Sequence, residues 1–229
     1  MYNYIYLIGS LLFFIVWCLF FYLRKDLRKE MLVMSLLILP LGPISEYWYF
    51  KDYWQPDLLL PWLINIEDLI FAWSIGGIGA VVYEIFFNKI NYKRRNPKKL
   101  PVLALFFGII ILSLIAGEYY KINSIYSSSF GFLIIGLIIL LRRRDVWKDL
   151  IFSGFFVALI MFIIYSFLLP QLPACYLDRI WLLHGTVHGY KIFNLIPLTE
   201  MIWGFSWGIA IGSLYEFWQG YRLKKKKEH

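Results

Sequence analysis

The residues best suited to chemistry are carboxylates standing where apolar runs begin. Glu67 and Asp68 open a glycine-rich apolar stretch that closes on Tyr83-Glu84. Glu200 opens a second stretch, closing on Tyr215-Glu216. Glu46 follows Pro40, Gly42 and Pro43, where a helix should break. Aromatic residues are dense around these acids: Tyr47, Trp48, Tyr49, Trp54, Trp73 and Trp203. Carboxyl groups in such a setting suit proton transfer, because burial keeps a proton available on one while another removes one. The same residues also have a plainer role. Asn65 can cap a helix, and acids in a first turn complement its dipole.

The elements that must hold them are membrane helices. The chain has 229 residues, 60% hydrophobic and 21% aromatic, which excludes an ordinary water-soluble domain. Seven stretches are long and apolar enough to span a bilayer, at roughly 3–23, 31–49, 65–87, 100–117, 123–141, 149–169 and 197–218. The first lacks a basic flank and a small-residue cleavage site, so it reads as a helix and not as a signal peptide. The fold expected is an all-α polytopic bundle. Lys and Arg gather at Arg24–Lys29, Lys89–Lys99, Arg142–Lys148 and Arg222–Lys227. With seven spans all four clusters fall on one side, which the positive-inside rule makes cytoplasmic. The N-terminus is then outside and the C-terminus inside a plasma membrane. The net charge of +8 follows from this sidedness. Its expected partner is the anionic lipid headgroup, with no role for nucleic acid.

The two acid-headed stretches are also copies of each other. Ile70, Ser74, Gly76, Tyr83 and Glu84 recur 132 residues on as Ile202, Ser206, Gly208, Tyr215 and Glu216, and Asp68 recurs as Glu200. Upstream, Arg24-Lys25-Asp26 resembles Arg143-Arg144-Asp145. An internal duplication accounts for both. It divides the chain into a three-helix repeat at 1–92, a connecting helix at 93–119, and a second repeat with its basic tail at 120–229. Each copy carries a small residue at every fourth position, Ala72, Gly76, Ala80 and Gly204, Gly208, Gly212. Such stripes let helices approach closely in lipid, so the two copies are expected to pack on one another along them.

A hydrophobe, two acids, an aromatic-rich run and then Tyr-Glu resembles the signature of the integral-membrane lycopene cyclase domain family. Glu46, Trp54 and Pro56 resemble the acid, tryptophan and proline that precede that motif. The sequence departs from the family pattern at Asn65, which stands for its proline, and at Thr199, which stands for its first acid in the second copy. The resemblance implies a lycopene β-cyclase, an isomerase-type enzyme acting on a lipophilic carotenoid without cofactor. A carboxylic acid would protonate the terminal double bond, the cation would close the ring, and a base would remove a proton. Glu67 is the expected acid or its relay, with Asp68 and Glu46 as base or orienters. Trp48, Trp54, Trp73 and Trp203 would line the substrate. The first copy, with more acids, is expected to carry the chemistry, and Glu200 to serve in a supporting copy.

Other candidates read more plainly. Glu84 and Glu216 lie about 25 Å along their helices from the first acids, at the cytoplasmic edge, where a structural role is expected. His184 and His188 stand four apart in the long 170–197 loop without a clear third ligand, so that loop reads as a lid, and no metal is expected. Asp145 and Asp149 have diphosphate-binding spacing but sit among arginines in a charged loop. Cys18 and Cys175 lack metal spacing, and no glycine-rich dinucleotide fingerprint is present. Three rival functions stay open: a small-molecule transporter of three-plus-one-plus-three topology, a cyclase of longer carotenoids, and a carotenoid-binding protein. The transporter's Pro-Gln motif belongs inside the first helix of each repeat, whereas the Pro-Gln here is Pro170-Gln171.

Overall fold

The structure is a computed structural model, described for residues 4–59, 65–93 and 101–226. It is an all-α bundle. Helix α1 (Ile5–Leu23) leads through a 3₁₀ turn at Lys25–Leu27 into α2 (Arg28–Ile38) and α3 (Leu41–Asp52). Then come α4 (Ile66–Phe86), strand β1 (Lys89–Lys93), α5 (Val102–Tyr120), α6 (Ser124–Arg142) and α7 (Trp147–Leu168). A short helix α8 (Ala174–Ile180) and a two-residue pair, β2 (Lys191–Ile192) with β3 (Ile196–Pro197), fill the last long loop. The chain ends with α9 (Leu198–Ile211), α10 (Leu214–Gln219) and β4 (Tyr221–Lys225).

Among the described residues, five helices are long and apolar enough to cross a membrane, and the bent α2–α3 pair makes a sixth. The pair bends by 47° at Leu39-Pro40, where the proline has no N–H to continue the ladder. The seventh expected span is not continuous. Its helix stops after fourteen residues at Gly212-Ser213, a pair of the kind at which helices kink, and restarts as α10. Outward faces of α1, α5, α6 and α7 expose large apolar side chains, such as Ile15, Leu112, Leu141 and Phe167. That is a lipid-facing surface, far beyond what a soluble monomer tolerates.

Helix α4 is the centre. Two thirds (67%) of its apolar window is buried, against 28% for α1 and for α5. It packs on α1, α2 and α7, while α9 packs on α7 and α6, and α5 covers α6 from outside. The small-residue stripes do not form the α4–α9 seam, contrary to expectation. Gly76 lies against Ile38 of α2, Gly204 against Met161 of α7, and Gly208 against Ser153 and Gly154 of α7. Each copy uses its stripe to admit the helix before it. The seam itself is apolar and aromatic. Phe71 faces Trp203 at 6.0 Å between ring centroids, the Trp207 indole donates to the Ile75 carbonyl at 3.2 Å, and Gly79 lies against Ile211. Each of these pairs joins residues 132 apart.

The basic segments after the two Tyr-Glu pairs are not loose loops. β1 and β4 pair antiparallel, with Lys89 opposite Lys225 and Asn91 opposite Leu223. Arg24 donates to the Lys89 carbonyl at 2.5 Å and Arg143 to the Tyr221 carbonyl at 2.9 Å, so each arginine anchors one strand. Of the Lys89–Lys99 cluster, residues 94–99 lie outside the described residues.

A β-carbon at position 208 would sit 2.7 Å from the Gly154 Cα and collide with the Ser153 carbonyl oxygen, backbone that cannot swing aside. Nothing lies within 4 Å of a β-carbon at Gly108 on α5. Gly208→Ala is therefore expected to lower the thermal midpoint in detergent. Gly108→Ala should leave it unchanged or raise it, since alanine favours a helix over glycine by about 1 kcal/mol.

Candidate functional site

The proline bend that ends α2 turns α3 back over the head of α4. Close approach is possible because position 42 is glycine: a β-carbon there would sit 2.5 Å from the Asp68 carbonyl oxygen and 2.9 Å from the Ala72 β-carbon. The far end of α3 is tied to the second half. Ser124 donates to Asp52 through its backbone N–H at 2.9 Å and its hydroxyl at 2.5 Å, and Asn123 donates to the Asp52 carbonyl. Held at both ends, α3 presents Glu46, Tyr49 and Tyr53 to the interior.

There, α1, α3, α4, α7 and α9 enclose a cavity of about 200 Å³. Glu46, Asp68 and Glu200 are its acids, and Phe71, Trp48, Trp54, Trp203 and Trp207 are among its aromatic walls. The loop expected to act as a lid supplies Leu177, Ile180 and Trp181 to the wall. It is pinned to the end of α3. Gln55 N–H donates to the Ile180 carbonyl at 2.7 Å, Leu182 N–H to the Tyr53 carbonyl at 2.9 Å, and Arg179 pairs with Asp57 at 2.5 Å.

The three acids have different surroundings. Asp68 is an acceptor on both oxygens, from the Tyr6 hydroxyl at 2.6 Å and the Asn65 amide at 3.1 Å. Asn65 thus serves Asp68, and its side chain does not cap α4. Glu200 accepts from the Tyr53 hydroxyl on one oxygen and from Tyr165 on the other at 3.0 Å. Glu46 takes a hydrogen bond from the Trp54 side chain, yet its buried Oε2 has no partner among the described residues. Two acids are therefore held as double acceptors, and one keeps a buried oxygen without a partner among the described residues.

Two expected site residues stand elsewhere. Glu67 is buried outside the cavity wall, with Oε1 accepting the Leu59 N–H at 2.8 Å. It follows that one residue round a helix, about 100°, is enough to take a side chain off the face that Asp68 shares with Phe71 and Ala72. Trp73, five residues past Asp68, packs instead beside Trp17 on the opposite side of α4, at 5.7 Å between ring centroids. Glu200, assigned in advance to a supporting copy, shares one cavity with Glu46 and Asp68. Of the tyrosines that orient the acids, Tyr6 and Tyr53 escaped the sequence reading. Tyr165 stands in the second copy where Glu46 stands in the first, 119 residues on, the offset that relates Arg24 to Arg143.

The remaining candidates separate. His184 pairs with Asp178 at 2.9 Å, while His188 lies against Tyr126, so the two histidines do not converge. Asp145 is held by Arg143 at 2.8 Å on the surface, and Asp149 turns inward to full burial, which rules out a shared diphosphate site. Glu84 and Glu216 are likewise buried and not at a wetted edge. No family model matches the chain, and neither the curated proteins nor the solved structures compared with it yield a match.

Glu200→Leu would leave the buried Tyr165 hydroxyl without its acceptor and the Tyr53 hydroxyl with Thr199 alone, at 3.3 Å; a buried group so stranded costs about 1–3 kcal/mol. Glu200→Gln keeps a carbonyl oxygen for one of them. Thermal unfolding in detergent should rank the variants wild type, Glu200→Gln, Glu200→Leu in falling stability.

Proposed function

We propose that this protein is a membrane-embedded acid/base isomerase of the lycopene cyclase type, closing the linear end of a carotenoid into a β-ionone ring. The observation that supports it most is the meeting of three carboxyl groups, differently hydrogen-bonded, in one apolar aromatic cavity. A neutral polyene end group is the kind of ligand such walls accept, and no group there is arranged for hydride or phosphate chemistry.

In this reading Glu46 is the proton donor, because it lines the cavity and keeps an oxygen without a hydrogen-bonding partner among the described residues. Protonation of the terminal double bond leaves a tertiary cation. The electron pair of a neighbouring double bond then forms the ring C–C bond and moves the cation into the ring. A proton leaves the adjacent carbon, giving the ring double bond with no net oxidation. Asp68 and Glu200, held as acceptors by Tyr6, Asn65, Tyr53 and Tyr165, are the groups to steady the cation and take that proton. The faces of Trp54 and Trp203 add cation–π attraction. Glu67 becomes a positioning residue for the segment before α4, in place of the acid the sequence suggested.

The test is pigment chromatography from a lycopene-accumulating cell. Wild type is expected to yield cyclic carotenoid. Glu46→Gln should abolish it with the protein still in the membrane, and Glu67→Gln should retain most of it. A dead Glu67→Gln beside an active Glu46→Gln would overturn the assignment. A carrier or passive binder would leave lycopene unconverted in every strain.

The finer placement in the membrane is part of the same proposal. The basic ribbon faces anionic lipid in the cytoplasm, and the cavity end faces outward. In a chain with Cys18 and Cys175 replaced, an impermeant thiol reagent applied outside should label a cysteine at Tyr120 and spare one at Lys224. The reverse pattern would invert the topology.

A further inference from the structure

At the opposite end of α4 from the cavity lies a second group of acids, which the proposed chemistry does not use. Glu84, Asp149 and Glu216 each place a carboxylate oxygen within 4.8 Å of the other two. Glu30 lies alongside Glu216. They come from α2, α4, α7 and α10, and all four are at most 3% exposed. The break at Gly212-Ser213 turns α10 so that Glu216 points in.

The group lacks the partners that buried carboxylates ordinarily have. Neither oxygen of fully buried Glu84 has a hydrogen-bonding partner among the described residues, and Asp149 Oδ2 has none. The hydrogen bonds of the nearest guanidinium groups go elsewhere. Arg24 donates to Asp26, to the Glu84 backbone carbonyl and to the Lys89 carbonyl, and Arg143 to Asp145 and the Tyr221 carbonyl. Asn91 donates to Glu30 at 2.5 Å and lies beside Glu216. A buried carboxylate left unpaired is costly.

We propose that these residues hold a divalent metal cation, with Glu84, Asp149 and Glu216 as ligands and Glu30 completing or flanking the set. Oxygen-only ligands select a hard cation. The three oxygens lie close enough to share one such ion, and Ca²⁺, Mg²⁺ and Mn²⁺ are the hard dications that take carboxylate ligands. A dication would also offset charge that the two arginines, paired with Asp26 and Asp145, leave uncompensated. Bound there, the ion joins α2 and α4 of the first half to α7 and α10 of the second, a clamp on the cytoplasmic end independent of any chemistry at the cavity.

The full chain, purified in detergent and stripped with chelator, is titrated with Mn²⁺ and the free ion followed by electron paramagnetic resonance. Loss of free signal equivalent to about one Mn²⁺ per chain is expected, reversed by excess Ca²⁺. The double variant Glu84→Gln/Glu216→Gln should bind on the order of tenfold more weakly or worse. Asp68→Asn should bind as wild type, because its acid belongs to the cavity. Failure of the folded wild-type chain to take up Mn²⁺ would overturn the proposal, leaving a cluster of neutral acids bonded to one another. So would uptake unchanged in the double variant, or lost in Asp68→Asn. If the double variant does not fold, Asp149→Asn is read by the same criteria.

Discussion

Much of this architecture depends on how α4 meets α9. Three contacts in succession, Phe71 with Trp203, Ile75 with Trp207 and Gly79 with Ile211, each join residues 132 apart. Contacts in that order require the two helices to run parallel with like positions facing. No hydrophobic effect drives helices together in lipid, so the contact rests on packing and on the indole bond to the Ile75 carbonyl. Once it is made, whatever stands at like positions near the two ends is brought together. Asp68 and Glu200 meet at one end, Glu84 and Glu216 at the other.

The glycine and alanine stripes do a different job. They sit on the faces of α4 and α9 turned to α2 and α7, where bulky or backbone atoms of the neighbour come within what a side chain would occupy. Close packing inside each half leaves the seam between the halves to large side chains. Large side chains do not close the seam fully at the head of α4, where Pro40 turns α3 over it and the chain's aromatic residues line the remaining space. The cavity follows from the bend, and the bend from a proline.

The two acid clusters differ in how their charge is accommodated, and that difference separates their roles. At the outer end hydroxyl, amide and indole donors reach the carboxyl groups, and a ligand-sized space remains beside them. At the inner end two arginines are close, but they bond to strand carbonyls and to surface aspartates. The inner acids Glu84, Asp149 and Glu216 are fully buried, with a carboxylate oxygen of each within 4.8 Å of the other two.

The sequence by itself determined the class of fold, because apolar runs of membrane-spanning length and a bilayer's intolerance of unpaired backbone leave only helices. It also determined where the second helix bends, since Pro40 has no N–H to give, and which acids stand near helix heads. Glu46 and Asp68 are adjacent in the cavity as their types suggested. Only the tertiary structure decided which of two neighbouring acids enters it. Glu67 and Asp68 differ by about 100° on a helix, and periodicity gives an angle without saying which angle faces the partner. Tyr6 and Tyr53 were hidden for a related reason: they come from different elements, and a hydroxyl among many aromatics carries no local pattern. Pairing of β1 with β4, and with it the approach of Glu84 to Glu216, joins segments more than a hundred residues apart. No spacing within either segment encodes that distance. It is set by the α4–α9 contact, which exists only in the folded chain.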